Sequence, residues 1–239
     1  MADPATKASG GGPGFAVLFD WDGVIVDSSR HHSLSWRALA AETGRSITDE
    51  QFRESFGQMN RVVIPDLFGW SDDPEEIDRL GRRKEQLYRE VVAREGLVPL
   101  EGARELIDAL GEAGVPRVIG TSTERENIRV ALEVMELEDS FEGVVASEDV
   151  TRGKPDPEVF LRAAGIAGLP PPRCVVLEDS HHGLQAAAAG GMRSVGVLTT
   201  HPRGKLGHAD VFVGSLAELS VERLRRLVES AHSRPDETG

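Results

Sequence analysis

The sequence predicts an α/β chain in which a parallel sheet with flanking helices is interrupted after its first strand by an all-helical module. Three observations lead there. From residue 97 onward, short apolar runs alternate with amphipathic helix patterns, the rhythm of βαβ units. A first apolar run at 15–19 stands apart from these, and nothing in 30–95 reads as a strand. Finally, polar clusters follow the apolar runs, at the edge where open α/β sheets keep their ligand crevices.

The first run belongs to the stretch F-A-V-L-F-D-W-D-G-V-I-V-D-S over residues 15–28. Turn signals bound it on both sides, as expected of a buried parallel strand. Asp20 and Asp22 then stand together at a strand's carboxyl end, where their mutual repulsion calls for a positive partner. Taken alone, D-x-D-G could be a simple turn, since Asp and Gly are turn formers. It is not an EF-hand loop, because Val24 and Ile25 occupy the places of a ligand and of the required glycine.

At 239 residues the chain suits one large domain, or a core with a small second unit. A net charge of −13 argues against nucleic acid and against an anionic membrane surface. No apolar run approaches the roughly 20 residues of a membrane span. Residues 1–14 lack the apolar centre of a signal peptide and read as a flexible tail, and 232–239 as a polar one. Cys174 is the single cysteine, so no internal disulfide can form, and a cytoplasmic setting is expected. It opens an apolar run and is expected to pack as a small hydrophobe.

In chain order, His32, Trp36 and Leu39 or Ala40 share a helix face that ends at Gly44. Thr48 with Gln51 makes a capping box, and Pro65 breaks a short segment over 61–68. Asp73 and Pro74 start a charged helix that runs to about Val92. A helix stripe at Ala103, Leu106, Ile107 and Leu110 stops at Gly114, and V-P-R-V-I-G-T-S follows as a strand ending in hydroxyls. Thr123 with Glu126 reads as a capping box for the next helix. Strands are expected at 143–146, 174–177, 194–198 and 211–213, and helices at 156–164, 183–189 and 221–231. The glycines at 10–14 precede a strand, so they are no dinucleotide fingerprint, and Gly153-Lys154 lacks the spacing of a P-loop.

Four clusters then converge on one edge: Asp20 with Asp22, Thr121 with Ser122, Lys154, and Glu178 with Asp179. They supply carboxylates for a divalent cation, donors for an anion and one ammonium, which together suit phosphoryl transfer. Mg²⁺ is the expected cofactor, being a hard ion that takes carboxylate oxygen and offsets the charge of acids and phosphate alike.

These motifs, D-W-D-G-V-I-V-D-S, I-G-T-S-T, G-K-P-D-P and V-V-L-E-D-S, stand in the order found in the haloacid dehalogenase superfamily. The chain resembles its phosphatase and β-phosphoglucomutase-like branch over about 15–230. That resemblance implies a Rossmann-like doubly wound core, 15–28 and 98–231, with a helical cap inserted at 29–97. It implies that Asp20 is the nucleophile forming an aspartyl-phosphate and that Asp22 is the general acid and base. Asp20, Asp179 and the backbone carbonyl of Asp22 would hold Mg²⁺, with Glu178 binding directly or through water. Thr121, Ser122 and Lys154 would grip the phosphate. Residues 21–28 would form a flap, with hinges at 28–30 and 95–100. Dehalogenases of the superfamily lack an acid at the place of Asp22, which favours phosphoryl transfer.

In the mutases of this branch a cap His, Arg and Lys face the site, and His32, Arg61 and Lys84 stand where these would fall. The competing reading makes Arg61 and Lys84 solvated charges and His32 a hinge-packing residue; for Lys84 it is the preferred one. His181 and His182 are expected in a surface turn rather than on a metal, and Trp21 in the flap. Thr123-Glu124-Arg125 departs from the small polar residues of mutases. The lead expectation is therefore a Mg²⁺-dependent phosphatase of a small phosphorylated metabolite such as a sugar phosphate, with a hexose-phosphate mutase as the alternative and a non-catalytic binding module as the remote one. Nothing in the sequence demands a dimer; a monomer or weak homodimer is expected.

Overall fold

The computed structural model describes residues 14–55 and 58–230, so the expected tail at 232–239, and all of the one at 1–14 but its last residue, lie outside it. Six strands, β1 (Ala16–Phe19), β2 (Arg117–Gly120), β3 (Gly143–Val145), β4 (Cys174–Glu178), β5 (Arg193–Val197) and β6 (Val211–Val213), form one sheet in the order β3-β2-β1-β4-β5-β6. Every pair is parallel. The strand order reverses between β1 and β4, the switch point where doubly wound sheets open a crevice. Phe19 pairs with Leu177 across that point, and the Asp20 N–H donates to the Leu177 carbonyl at 3.0 Å. This register delivers Asp20 beside Glu178.

Side-chain alternation explains why the sheet is covered twice. Phe15, Val17 and Phe19 face one layer with Ile119, Val175 and Leu177. There they meet α5 (Ala103–Glu112), α6 (Arg125–Met135) and α10 (Val221–Glu229) through Ile107, Ile128 and Leu224. Ala16 and Leu18 face the other layer, where Phe160 of α7 (Glu158–Ala167) and Ala186 of α8 (His181–Ala189) close over them. Cys174 is buried in this second layer as expected, and burial pushes its thiol up to about 11. Each large apolar side chain so buried contributes about 1.5–3 kcal/mol.

Between β1 and β2 stand α1 (Ser29–Glu42), α2 (Asp49–Ser55), α3 (Asn60–Val62) and α4 (Pro74–Glu95). They share a small core of Trp36, Leu39, Ile64, Phe68, Leu80 and Leu87. The Thr48–Gln51 box forms in both directions, and the Asp73 side chain caps α4. Pro65 does not break its segment: Val63–Leu67 is a π-turn, in which Phe68 N–H reaches the Val63 carbonyl at 2.9 Å. The wider turn accommodates a residue that lacks an N–H. Beyond β5, α9 (Arg203–Leu206) is a helix the sequence pattern did not announce. Among the described residues, no helix is long and apolar enough to cross a membrane.

Both crossings between sheet and inserted helices lie side by side. Val26 bridges Pro99 in antiparallel fashion, and Leu100 N–H donates to the Ile25 carbonyl at 2.8 Å. His31 Nε2 meets the Gly96 carbonyl at 2.7 Å, and Arg30 pairs with Glu95 at 2.5 Å. Of these residues Arg30, Glu95, Gly96, Pro99 and Leu100 fall in the segments expected as hinges, 28–30 and 95–100, and Ile25, Val26 and His31 flank the first.

Candidate active site

Three of the four clusters named from the sequence meet at the switch point. Lys154 Nζ donates to Asp20 Oδ1 at 2.6 Å and to Glu178 Oε1 at 2.7 Å, and all three side chains are buried. The ammonium also lies 4.7 Å from the Phe160 ring centroid. Burial alone would lower its pKa, but Asp20 and Glu178 more than offset this and raise it. Asp20 itself is pushed well up, chiefly by burial and further by Glu178 and Asp179, against the pull of Lys154. Asp179 is raised to about 7 by burial and by Glu178.

Asp20, Glu178 and Asp179 each offer an oxygen within 4.8 Å of the others. The donor set fits a hard divalent ion: it is all carboxylate, and the buried acids repel one another until a cation lies among them. Their oxygens are unequally free. Glu178 Oε1 accepts from Lys154 and Oε2 from the Ser180 N–H at 2.6 Å, whereas Thr200 Oγ1 holds Asp179 by Oδ2 alone. Asp20 Oδ2 and Asp179 Oδ1 accept no hydrogen bond among the described residues, so they are the readier ligands.

Two glycines make this crowding possible. Gly23 has φ +75°, and a Cβ there would lie 1.9 Å from Asp179 Oδ2. A Cβ on Gly183 would lie 1.7 Å from Glu178 Oε1. The flap around Gly23 is closed on itself: Asp22 bridges Val26, Gly23 N–H donates to the Val26 carbonyl at 2.7 Å, and Trp21 is fully buried beneath.

Asp22 is gripped at both oxygens, by the Ser28 hydroxyl on Oδ1 and by Thr123 Oγ1 on Oδ2 at 3.1 Å. Its pKa is raised by burial, with the two hydroxyls and Lys84 pulling the other way. The Thr123 bond corrects a sequence expectation. Glu124, not Thr123, precedes α6 as its N-cap, and no side chain caps that helix. The hydroxyl is drawn to Asp22 instead. Thr121 is buried with its Oγ1 accepting from the Thr123 N–H at 3.1 Å, while Ser122 faces solvent.

The inserted helices complete the enclosure. Lys84 is buried, not solvated as the sequence favoured, because α4 turns it inward between Trp36 and Tyr88 at 5.4 and 5.6 Å from their ring centroids. Its Nζ donates to His32 Nδ1 at 2.7 Å and to Glu85 Oε1 at 2.9 Å. An ammonium has no acceptor, so His32 carries its own proton on Nε2. Burial and Lys84 lower the pKa of His32, which stacks on Tyr88 at 4.2 Å. Arg61 is exposed on α3 and makes no ion pair among the described residues. His181 and His182 are exposed at the start of α8, as expected. Sequence reasoning missed Thr199 and Thr200, which bind the Gly23 carbonyl and Asp179. Their signal was a hydroxyl pair just past β5, like the Thr121-Ser122 pair past β2.

A family model for haloacid dehalogenase-like hydrolases matches residues 16–191. The chain belongs to this family. Among its relatives, the chloroplastic 5-amino-6-(5-phospho-D-ribitylamino)uracil phosphatase of Arabidopsis thaliana is 34% identical over 217 residues. That match takes in 90% of this chain, which spans only 58% of the relative's length. The β-phosphoglucomutase of Bacillus subtilis is 30% identical over 218 residues, 87% of this chain and 93% of that one. The solved structure of CbbY from Rhodobacter sphaeroides in complex with phosphate superposes with a TM-score of 0.79 at 25% identity, over 88% of this chain and 98% of that one. Within the haloacid dehalogenase-like hydrolases, the chain is an enzyme of the phosphatase and phosphomutase kind.

Proposed function

We propose that the protein is a Mg²⁺-dependent phosphatase that hydrolyses a small phosphorylated metabolite, such as a sugar phosphate, through an aspartyl-phosphate on Asp20. The observation that carries this reading is the buried Lys154 bridging Asp20 and Glu178, with Asp179 within reach of the same ion. Asp20 and Asp179, with the Asp22 backbone carbonyl and Glu178 behind them, would hold the Mg²⁺. When bound, it would neutralise the acids and withdraw charge from the phosphoryl oxygens.

In this reading an Asp20 carboxylate oxygen attacks phosphorus and the ester oxygen departs, taking the proton of Asp22. A raised Asp22 pKa suits a group that must arrive protonated. Asp22, now a carboxylate, takes a proton from water, and the resulting hydroxide attacks phosphorus and releases Asp20. Ser28 and Thr123 hold Asp22 in place for both steps. Lys154 keeps Asp20 oriented and meets the incoming phosphoryl charge, and Thr121 with Ser122 offers hydroxyl and backbone donors to it.

The alternative acceptor is a sugar hydroxyl, as in a β-phosphoglucomutase. Lys84, whose charge acts on Asp22 and which is bonded to His32, and the mutase relatives favour that alternative. Incubation with β-glucose 1-phosphate and a trace of the bisphosphate separates the two. Inorganic phosphate is expected, and glucose 6-phosphate as the main product would overturn the phosphatase assignment. Asp20→Asn is expected to abolish release of phosphate from p-nitrophenyl phosphate; unchanged release would remove Asp20 from the mechanism.

A further inference from the structure

We propose that Asn127 is a latch that positions the cap over Asp22, by offering one amide to both an anion and a cation of α4. This rests on the phosphoryl-transfer reading above. Asn127 stands on α6 of the core and is buried. Its Nδ2 donates to Glu85 Oε2 at 2.6 Å, and its Oδ1 accepts from Arg89 Nη1 at 2.8 Å. Glu85 and Arg89 are four residues apart, on one face of α4. A carboxylate can only accept and a guanidinium can only donate, so an amide is the side chain that satisfies both from a single position.

The bond to Glu85 reaches the reaction centre in two steps. Glu85 Oε1 binds Lys84 and also Asn60 Nδ2 at 2.7 Å, and Lys84 is the cap cation whose charge acts on Asp22. Tyr88, between Glu85 and Arg89 on α4, brings its buried hydroxyl toward Ser28 and Asp22. With the latch made, Lys84 and Tyr88 are seated above the proton donor and bulk water is excluded. With it broken, the core retains Asp20, Lys154, Glu178 and Asp179 unchanged. The latch therefore matters most where the departing oxygen needs a proton.

The geometry prescribes a reciprocal test. Asn127→Asp keeps the Arg89 bond and sets a carboxylate against Glu85, and Glu85→Gln sets an amide N–H against that of Asn127. When both substitutions are combined, the introduced glutamine keeps its amide oxygen toward Lys84 and Asn60. Its amide nitrogen donates to the introduced carboxylate on α6, so the contact is restored with donor and acceptor exchanged. Turnover of phenyl phosphate, whose leaving group needs a proton, is compared with that of p-nitrophenyl phosphate, whose anion leaves unaided. The ratio of the two is independent of how much of a preparation is folded.

Each single variant is expected to lower the phenyl-to-nitrophenyl ratio of kcat/KM about tenfold, a partial loss of the roughly 10²–10⁴-fold that a general acid contributes. The double variant should recover it to within about twofold of wild type. Amide hydrogen exchange across 74–95 and 125–135 should quicken in the singles and slow again in the double, whatever the activities. A ratio unmoved by both singles, or a double variant no better than the worse single, overturns the latch. Wild-type protein that hydrolyses neither ester overturns the phosphatase reading instead, and the exchange measurement still decides the latch.

Discussion

Gly23→Ala tests the site at its tightest point. The glycine sits at φ +75°, where an L-residue costs about 1–2 kcal/mol. For a chain of this size each kcal/mol lowers Tm by about 2–4 °C, so a fall of roughly 2–8 °C is expected. The steric effect is larger. The new methyl would lie 1.9 Å from Asp179 Oδ2 and 2.4 Å from its Cγ, where contacts under 3.0 Å essentially never occur. The carboxylate must therefore retreat by about 1 Å, away from the oxygens of Asp20 and Glu178 with which it would hold the proposed Mg²⁺, and a misplacement of that size costs about a hundredfold in rate. Assays with p-nitrophenyl phosphate over a Mg²⁺ titration should show kcat/KM down about a hundredfold and a weaker Mg²⁺ midpoint. Gly165→Ala, in open space on α7, is the matched control and should leave both unchanged. A Gly23→Ala enzyme within threefold of wild type, with the same Mg²⁺ midpoint, would refute the claim that Gly23 sets the position of Asp179.

Thr200→Val removes the hydroxyl that holds Asp179, and should raise the Mg²⁺ concentration for half activity about tenfold with little change in Tm. Lys154→Met leaves Asp20 and Glu178 buried without a counter-ion; urea unfolding at pH 7.5 should show a loss of about 3–5 kcal/mol, shrinking toward pH 5 as Asp20, whose pKa burial raises, takes up a proton. His32 has a lowered pKa in the fold, so below its unfolded value of about 6.5 the unfolded chain binds the extra proton. Its contribution is thus complete above pH 6.5 and declines below it by up to about 1.4 kcal/mol per pH unit. His32→Gln should flatten that part of the stability curve, and identical curves for the two proteins would contradict the assignment.

What the sequence revealed and what it concealed divide along physical lines. Asp20, Lys154 and Glu178-Asp179 were legible because a buried strand ends at each carboxylate, and charges at such ends need partners. The sheet was legible for the same reason, its apolar runs being bounded by turn residues. Lys84 was misjudged because α4 is so charged that its inward face is hard to tell from its outward one; only docking against Trp36 and Tyr88 decides it. Thr123 was assigned to a helix cap because local pattern favours the nearest N–H, whereas Asp22, 101 residues away, offered a stronger acceptor. Asn127 had no local signal at all, since its value comes from two charges on another element.

The paired crossings at Val26–Pro99 and His31–Gly96 join the inserted helices to the sheet through one narrow stalk. With both chain crossings gathered there, and the remaining ties to the core made by side chains such as Glu85 and Arg89 on Asn127, the inserted body can pivot but cannot slide along the strands that carry it. Turning about that pivot would renew the surroundings of Asp22 in every cycle while Asp20 and Lys154 stay fixed in the sheet. In the proposed reaction the sheet would thus serve as a fixed anvil, where phosphorus changes hands, and the inserted helices as a door that decides which alcohol approaches.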